Sequence, residues 1–280
     1  MTAPLLEVED LVVEYGRRRR SFRVLRGVSL QIAPAECLGL VGESGSGKST
    51  LGKAVLGLAP VTSGAVRFDG RDISHARGGD RRALAADIQV VFQDPYGSLD
   101  PTMTVGDILA EPLVTSTLGR TEARARVLEM LDRVRLPRGA AERYPREFSG
   151  GQRQRIAIGR ALVRRPRLVV CDEPVSALDL TTQAAIIDLF IELQRETGVS
   201  YLFVSHDLGV VRRICHRVAV MHRGELVETG EGEQVTRAPA HPYSERLRLA
   251  SPVADPVEQR RRRREWLAIR EVSGADAPVR

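Results

Sequence analysis

The segment GESGSGKST, Gly42–Thr50, decides the fold. It follows the apolar run ECLGLV and precedes LGKAVLGLA, so the sequence predicts a strand, a glycine-rich turn and a helix in that order. The segment fits the pattern G-x-x-x-x-G-K-[ST] of a phosphate-binding loop, or P-loop. Glycines let the backbone N–H groups of such a loop point inward at phosphate oxygens, and the helix adds its positive N-terminal end.

Lys48 is one of only two lysines in a chain whose lysine and arginine residues total 42. A lysine therefore occupies this position against a strong preference of the chain for arginine. A compact ammonium on a thin stem fits inside a ring of amides, whereas a planar guanidinium does not. We interpret Lys48 as the mark of a phosphate site and predict that the Ser49 hydroxyl binds Mg²⁺. The predicted nucleotide ligands of the loop are Gly42, Glu43, Ser44, Gly45, Ser46, Gly47, Lys48, Ser49 and Thr50.

Two acidic residues follow a second apolar run, in the segment RLVVCDEP. The run predicts a buried strand that ends at Asp172, which suits the Mg²⁺ shell, and the next residue, Glu173, is placed to polarise an attacking water. Taken alone, an apolar run that ends in Asp-Glu is more often a strand end than an active site. Together with the P-loop it indicates nucleotide hydrolysis.

The order of elements indicates an α/β protein. Short apolar strands come first, helical spacing dominates from about Tyr96 to Leu162, and two buried-strand runs then flank a helical segment. Strand, helix and strand at this rhythm predict a parallel sheet with helices on its faces. The region after about Pro239 is rich in proline and arginine, and we expect it to be peripheral.

Composition sets the broad class. A chain of 280 residues is long enough for a large core, and its longest apolar runs fall far short of the roughly 20 residues that cross a bilayer. The start, MTAPLLEVED, lacks the pattern of a signal peptide, so we expect a cytoplasmic protein. The arginine preference is chain-wide, and the net charge of +6 is therefore given little weight. Cys37, Cys171 and Cys215 are predicted to be reduced core residues, not a disulfide frame or a zinc site.

Four further motifs complete a recognisable set. They are FSGGQ at Phe148–Gln152, VVFQDP with Gln93, SALD at Ser176–Asp179, and VSHD with His206. In this order, and with the P-loop, they resemble the signature motif, Q-loop, D-loop and switch histidine of the ATP-binding cassette, or ABC, ATPases. The resemblance covers about Leu5 to Thr236, and the signature departs from the family only in Phe148, where leucine is usual.

The resemblance implies an α/β fold: a P-loop NTPase (ABC ATPase) core with an antiparallel β subdomain and an inserted α-helical subdomain. Residues 1–95 would form the first part of the nucleotide-binding core with the β subdomain, and residues 96–162 the helical subdomain with the signature. Residues 163–237 would complete the core. Residues 238–280 would be a C-terminal extension typical of peptide importers.

The family also implies roles for these residues, with ATP and Mg²⁺ as cofactors. The signature residues Ser149, Gly150, Gly151 and Gln152, with Asp179 of the D-loop, would contact the ATP held by a partner subunit. Tyr15 would stack on adenine, with Phe22 as the less favoured candidate; read alone, Tyr15 is a half-buried strand tyrosine. Read alone, Gln93 and His206 are ordinary polar residues. The implied catalytic residues are Glu173, His206, Gln93 and Lys48, and the implied metal ligands are Ser49, Gln93 and Asp172.

The segments after the Q-loop and at Ala238–Ala250 resemble the ATP-binding subunits of oligopeptide and dipeptide importers, including nickel-transporting relatives. This implies a sister ABC ATPase in a heterodimer or a homodimer, two transmembrane permease subunits and an extracytoplasmic solute-binding protein, with this chain peripheral on the cytoplasmic face of the membrane. The alternative is a soluble ABC ATPase of nucleic-acid repair or translation. That class usually carries a coiled coil, a zinc insertion or a second cassette, which this sequence lacks, so we expect no nucleic-acid partner.

Two arginine runs, Arg17–Arg20 and Arg260–Arg264, have two readings. They could contact anionic lipid headgroups, with Trp266 as a weak interfacial anchor. The favoured reading is that they belong to a solvated loop and a tail in an arginine-rich chain.

Overall fold

The computed structural model describes residues 3–16, 21–94, 96–114, 118–251, 259–261 and 264. The arginine run at 17–20, Arg262 and Arg263 of the second run, and Trp266 lie outside these residues. The strands are β1 Leu6–Tyr15, β2 Phe22–Ile32, β3 Cys37–Val41, β4 Ser63–Phe68, β5 Arg71–Asp72, β6 Ile88–Val91, β7 Leu168–Asp172, β8 Ser200–Val204, β9 Arg217–His222 and β10 Glu225–Glu231. The helices are α1 Lys48–Val55, α2 Gly78–Leu84, α3 Val105–Ala110, α4 Arg120–Arg133, α5 Gly150–Leu162, α6 Leu180–Thr197, α7 Leu208–Ile214, α8 Gly232–Arg237 and α9 Pro242–Ala250.

The strands of the described residues form two sheets. The smaller has the order β2-β1-β4-β5 and is antiparallel throughout, with Leu6 of β1 opposite both Ile32 and Phe68. The larger has the order β10-β9-β3-β8-β7-β6. Its strands run parallel except for β10, which returns antiparallel to β9 at the edge. The predicted parallel sheet and the antiparallel sheet are both present.

Side chains of the larger sheet alternate between two hydrophobic cores. Along β8, Tyr201 and Phe203 join a core with α3 to α7, whereas Leu202 and Val204 join a second core that contains α1 and the smaller sheet. Successive residues of a strand point to opposite faces, and both faces are covered here. This explains why the central strands are continuous apolar runs in the sequence.

A bundle of α3, α4 and α5 packs on one side of the larger sheet and supplies much of the first core. The three cysteines lie in the same core, buried and free as predicted, with the Sγ atoms of Cys37 and Cys215 3.6 Å apart. Among the described helices, none is long and apolar enough to cross a membrane.

The expectation that the chain after Pro239 is peripheral is wrong for its first part. α9 packs near α8 and β10, and the side chains of Tyr243 and Leu249 are each only 2% exposed. The region contains a short helix, α9, but its apolar residues are too few to show a helical period in the sequence. Its proline and arginine content therefore suggested a peripheral segment.

Candidate active site

The carboxyl ends of three neighbouring parallel strands meet at one edge of the larger sheet. β3 leads into the P-loop, β7 ends at Asp172, and β8 is followed closely by His206. Ligands of open α/β sheets bind outside the carboxyl ends of the strands. The sheet therefore gathers at one edge three motifs that are far apart in the sequence.

Two glycines allow the P-loop to pass close to neighbouring groups. Gly42 has a φ of +152°, and a Cβ atom at this position would overlap the carbonyl oxygen of Met221. Gly47 has a φ of +111°, and its Cβ would lie 2.9 Å from Cδ2 of Leu25. A side chain would be strained at either position, so the loop depends on these glycines. The exposed tip of the loop is formed by Glu43, Ser44 and Gly45.

The start of α1 is suited to an anion. Gly47 is its N-cap and offers no side chain to the first amides, which have no acceptor within a helix. The same end carries the positive pole of the helix dipole. The Ser46 hydroxyl is buried and has no hydrogen-bond partner among the described residues, and an orphaned buried hydroxyl is costly. Phosphate oxygens would satisfy both the amides and this hydroxyl.

Lys48 lies inside the loop and is only 5% exposed. Its Nζ atom donates to the carbonyl oxygens of Gly42, at 2.8 Å, and Glu43, at 2.9 Å. Burial lowers the pKa of Lys48, while the carboxylates of Glu173 and Asp172 act in the opposite direction. A buried ammonium of this kind is a positive point charge poised for phosphate.

Ser49 and Asp172 place two hard oxygen ligands side by side, because the Ser49 hydroxyl donates to Oδ1 of Asp172 at 2.8 Å. Gln93, the third predicted metal ligand, is exposed just after β6, and it has no hydrogen bond to either residue within the described part of the chain. No group of three or more His, Cys, Asp or Glu side chains in that part could hold a metal. A Mg²⁺ ion fits here with nucleotide phosphates as further ligands, which is its usual mode.

Glu173 follows Asp172 with a backbone that is fixed on both sides. Its φ is +50°, its N–H donates to the carbonyl of Val204 at 3.1 Å, and its carbonyl accepts from Oγ of Ser176 at 3.1 Å. Its Oε2 atom is 3.1 Å from Nδ1 of His206. The Glu173 side chain is 20% exposed and that of His206 60%, so the histidine lies on the solvent side of the carboxylate.

The signature segment starts α5. Ser149 is the N-cap: its hydroxyl accepts from the N–H of Gln152 at 3.4 Å, and its own N–H donates to Oε1 of Gln152 at 3.0 Å. A Cβ atom on Gly151 would overlap Cγ2 of Thr182, so α5 and α6 approach closely at this glycine. A Cβ on Gly150 would lie 3.8 Å from the hydroxyl of Tyr96.

Asp179 of the D-loop is the N-cap of α6 and accepts from the N–H of Thr182 at 2.9 Å. Hydrogen bonds from Thr182 lower the pKa of this carboxyl. The signature and the D-loop are thus neighbours around Thr182. Within the described residues, no hydrogen bond joins this pair of segments to the P-loop.

Tyr15 and Phe22 lie opposite each other at the end of the β1–β2 pair. Tyr15 is 40% exposed and Phe22 67% exposed, so both rings are accessible to a ligand. Each ring therefore has the exposure that a residue stacking on adenine needs.

Tyr243 contacts the P-loop, which the sequence did not predict. Its hydroxyl accepts the N–H of Glu43 at 3.0 Å, although the two residues are 200 positions apart. The surrounding stretch, Ala238–Ala250, resembles subunits of peptide importers, but this resemblance assigns no role to Tyr243. A buried tyrosine in a short helix carries no spacing that points to the P-loop.

Comparison with known proteins decides the family. The sequence model described as ABC transporter matches residues 25–176. The chain belongs to the ABC transporter family. This confirms the resemblance that the motifs indicated, and with it the predicted fold class.

Relatives and solved structures agree with this assignment. The glutathione import ATP-binding protein GsiA of Pectobacterium atrosepticum is 48% identical over 99% of this chain and 45% of the relative, and GsiA of Escherichia coli strain K12 is 48% identical over 93% and 43%. This ABC chain therefore spans less than half the length of these relatives.

Two solved structures share the fold. CbiO1 from Clostridium perfringens, part of the ABC transporter complex cbiONQ, superposes with a TM-score of 0.76, 29% identity and coverage of 84% of this chain and 91% of that one. The ATP-binding cassette MJ0796, in a dimeric post-hydrolysis state with ADP and phosphate, gives a TM-score of 0.72 at 30% identity over 81% and 98%.

Proposed function

We propose that this chain is the ATP-hydrolysing subunit of an ABC importer that moves small peptides or similar solutes across the cell membrane. The observation that carries the proposal is the arrangement at one sheet edge: a buried Lys48 in a glycine loop, with Asp172 bonded to Ser49 and Glu173 paired with His206. Binding, metal and water-directing groups are thus adjacent. We also propose that the core is formed by residues 1–95 and 163–237, the helical subdomain by residues 96–162 and the C-terminal extension by residues 238–280.

Lys48 and the amides at the start of α1 would bind the phosphates of ATP, with the rest of Gly42–Thr50 around them. Mg²⁺, held by Ser49 and Asp172, would neutralise charge between the terminal phosphates. Gln93, exposed just after β6, would be a further ligand of this ion. Tyr15, or Phe22 beside it, would stack on adenine.

Glu173 would orient and polarise the attacking water, since its carboxylate is shielded and lies next to the metal ligand Asp172. His206 would contact the terminal phosphate and hold Glu173 through the 3.1 Å contact between Nδ1 and Oε2. The backbone of Glu173, with its positive φ and its hydrogen bonds with Val204 and Ser176, fixes the point from which the side chain leaves the main chain.

A second cassette would complete the site. The N-terminal end of α5, with Ser149, Gly150, Gly151 and Gln152, is exposed or half-buried and is separate from the P-loop of its own chain. We propose that it caps ATP in a partner subunit, assisted by Asp179. The partner would be a sister ATPase or a second copy, on the cytoplasmic face of two permease subunits that receive solute from an extracytoplasmic binding protein.

The names of the relatives favour import over nucleic-acid repair or translation. The GsiA proteins are named for glutathione import, and glutathione is a small peptide. We therefore propose small peptides or similar solutes as the cargo, which transport assays with the assembled complex would test.

ATP binding by the full chain tests the site. Lys48→Ala removes the buried ammonium, and we expect at least a tenfold loss of Mg²⁺-dependent affinity for a fluorescent ATP analogue, as for a charged hydrogen bond worth about 1.5–3 kcal/mol. Lys53→Ala is the matched control, because Lys53 is exposed on the same helix α1. Equal affinity of the two variants would remove the P-loop assignment.

A further inference from the structure

The C-terminal helix α9 reaches the P-loop through one hydroxyl. Tyr243 is 2% exposed, and its Oη atom accepts the backbone N–H of Glu43 at 3.0 Å. A phenylalanine would fill the same space, so packing alone does not require the hydroxyl. Burial raises the pKa of Tyr243, which keeps the phenol protonated and neutral beside the loop.

Several contacts hold the Tyr243 ring in place. The ring lies against that of His222 at the end of β9, with centroids 3.9 Å apart and planes at 36°. His241 caps α9 by accepting the N–H of Tyr243 at its Nδ1, at 3.1 Å. Glu228 of β10 accepts the N–H groups of Ala240, at 2.7 Å, and His241, at 3.1 Å. The start of α9 is thus fixed to the β9–β10 edge of the larger sheet.

The main chain of Glu43 links this helix to the proposed nucleotide site. Its carbonyl oxygen accepts from Nζ of Lys48 at 2.9 Å and from the N–H of Ser46 at 3.2 Å. The N–H at the other end of the same residue is the one that Tyr243 binds. A hydroxyl on α9 and the ammonium of Lys48 therefore hold the same residue of the loop.

We propose that Tyr243 is a positioning residue for ATP binding. Its hydroxyl fixes Glu43, and thereby the carbonyl oxygens of Gly42 and Glu43 that orient Lys48. The inference rests on the proposed ATP site at the P-loop. It assigns to the C-terminal extension a direct effect on nucleotide affinity, whereas its sequence suggested a peripheral segment.

Tyr243→Phe tests the proposal, because it removes the hydroxyl and retains the ring. We expect the affinity of the full chain for the fluorescent ATP analogue to fall about 3- to 10-fold, the size of one lost net hydrogen bond. In the assembled complex, KM for ATP should rise by the same factor while kcat at saturating ATP stays unchanged, since the loop is held equally in ground state and transition state.

Tyr201→Phe is the matched control. The Tyr201 hydroxyl is fully buried and donates to the carbonyl of Phe190 at 3.3 Å, away from the P-loop. This variant also loses one buried hydrogen bond and should lower the melting temperature without changing ATP affinity. An equal loss of affinity in both variants would show that Tyr243 acts only through general stability, and would overturn the proposal.

Lys48→Ala separates the two levels of inference. If Tyr243→Phe binds the analogue as tightly as the natural chain while Lys48→Ala does not, the positioning role is wrong and the ATP site stands. If Lys48→Ala also binds normally, the proposed ATP site itself is wrong.

Discussion

At the residue scale, Lys48 shows that burying a charged group in the proposed phosphate site opposes folding. Burial lowers its pKa in the folded chain, against the opposing effect of nearby carboxylates, whereas the unfolded chain keeps a pKa near 10.5. Between these two values the unfolded chain binds more protons, so this group makes the free energy of unfolding rise with pH.

Lys48→Met should flatten this rise. We expect urea titrations of the nucleotide-free protein, made at several pH values from neutral up to about 10.5, to show a steeper increase of stability with pH for the natural chain than for the variant. At pH values well below both the folded and the unfolded pKa of Lys48, the change of stability with pH should be the same in both proteins. Parallel curves across the whole range would contradict a lowered pKa for Lys48.

Glu173 allows a test of chemistry apart from binding. Glu173→Gln keeps the volume and the backbone conformation but removes the carboxylate that would polarise water. We expect kcat for ATP hydrolysis by the assembled complex to fall at least about 100-fold, the usual contribution of a general base, with ATP affinity retained. Glu122→Gln, an exposed residue in the first turn of α4, is the control. Unreduced hydrolysis in the Glu173 variant would assign the water to another residue.

Within the proposed nucleotide site, the sequence predicts a residue where its chemistry and its neighbours along the chain point to the same role. Lys48 and Asp172 each follow directly from a short motif next to a buried strand, and the structure brings them to one sheet edge. Tyr243 was not predictable, because its partner is a backbone N–H, which every residue except proline offers. No side-chain type or spacing marks such a contact across 200 positions.

At the element scale, the close approach of α5 and α6 is controlled by Gly151. A Cβ on this residue would overlap the Cγ2 methyl of Thr182, so Gly151→Ala should destabilise the fold by about 1–3 kcal/mol, as overpacking does. Thr182→Ser removes that methyl group and should restore most of the loss in the double variant. Thermal or urea unfolding of the two single variants and the double variant measures the coupling. Additive losses would show that the two helices do not meet as described.

Elements were predictable in proportion to their length and burial. β3, β7 and β8 are mostly apolar strands of five residues that lead into polar motifs, and α6 keeps a helical period over 18 residues. α9 has nine residues that include Pro242 and two arginines. It packs on β10 and α8, which directly precede it, but its buried Tyr243 also contacts Glu43, which is 200 positions away. Local pattern cannot carry tertiary information of that kind.

At the scale of the whole molecule, the predicted ligands of ATP divide into two groups that this chain keeps apart. The P-loop, Asp172, Glu173 and His206 gather at the carboxyl edge of the larger sheet. The signature is next to Thr182 and the D-loop instead. Under the proposed function, one chain supplies the P-loop half of one ATP site and the signature half of another. Two chains arranged head to tail would complete both sites. This is the physical reason to expect slow hydrolysis by a single protomer.

Ser149 provides a test of this division, because an aspartate and an asparagine there both remain good N-caps for α5. Ser149→Asp places a negative charge where the partner's terminal phosphate is expected, and it should reduce hydrolysis by the assembled complex at least tenfold. Binding of the fluorescent ATP analogue to the isolated chain should not change, since the P-loop of that chain is elsewhere. Ser149→Asn has nearly the same shape without the charge and should lose much less activity, with the same melting temperature. Weaker ATP binding by the isolated Ser149→Asp chain would instead place the signature in the same site as its own P-loop, and the case for a second protomer would fall.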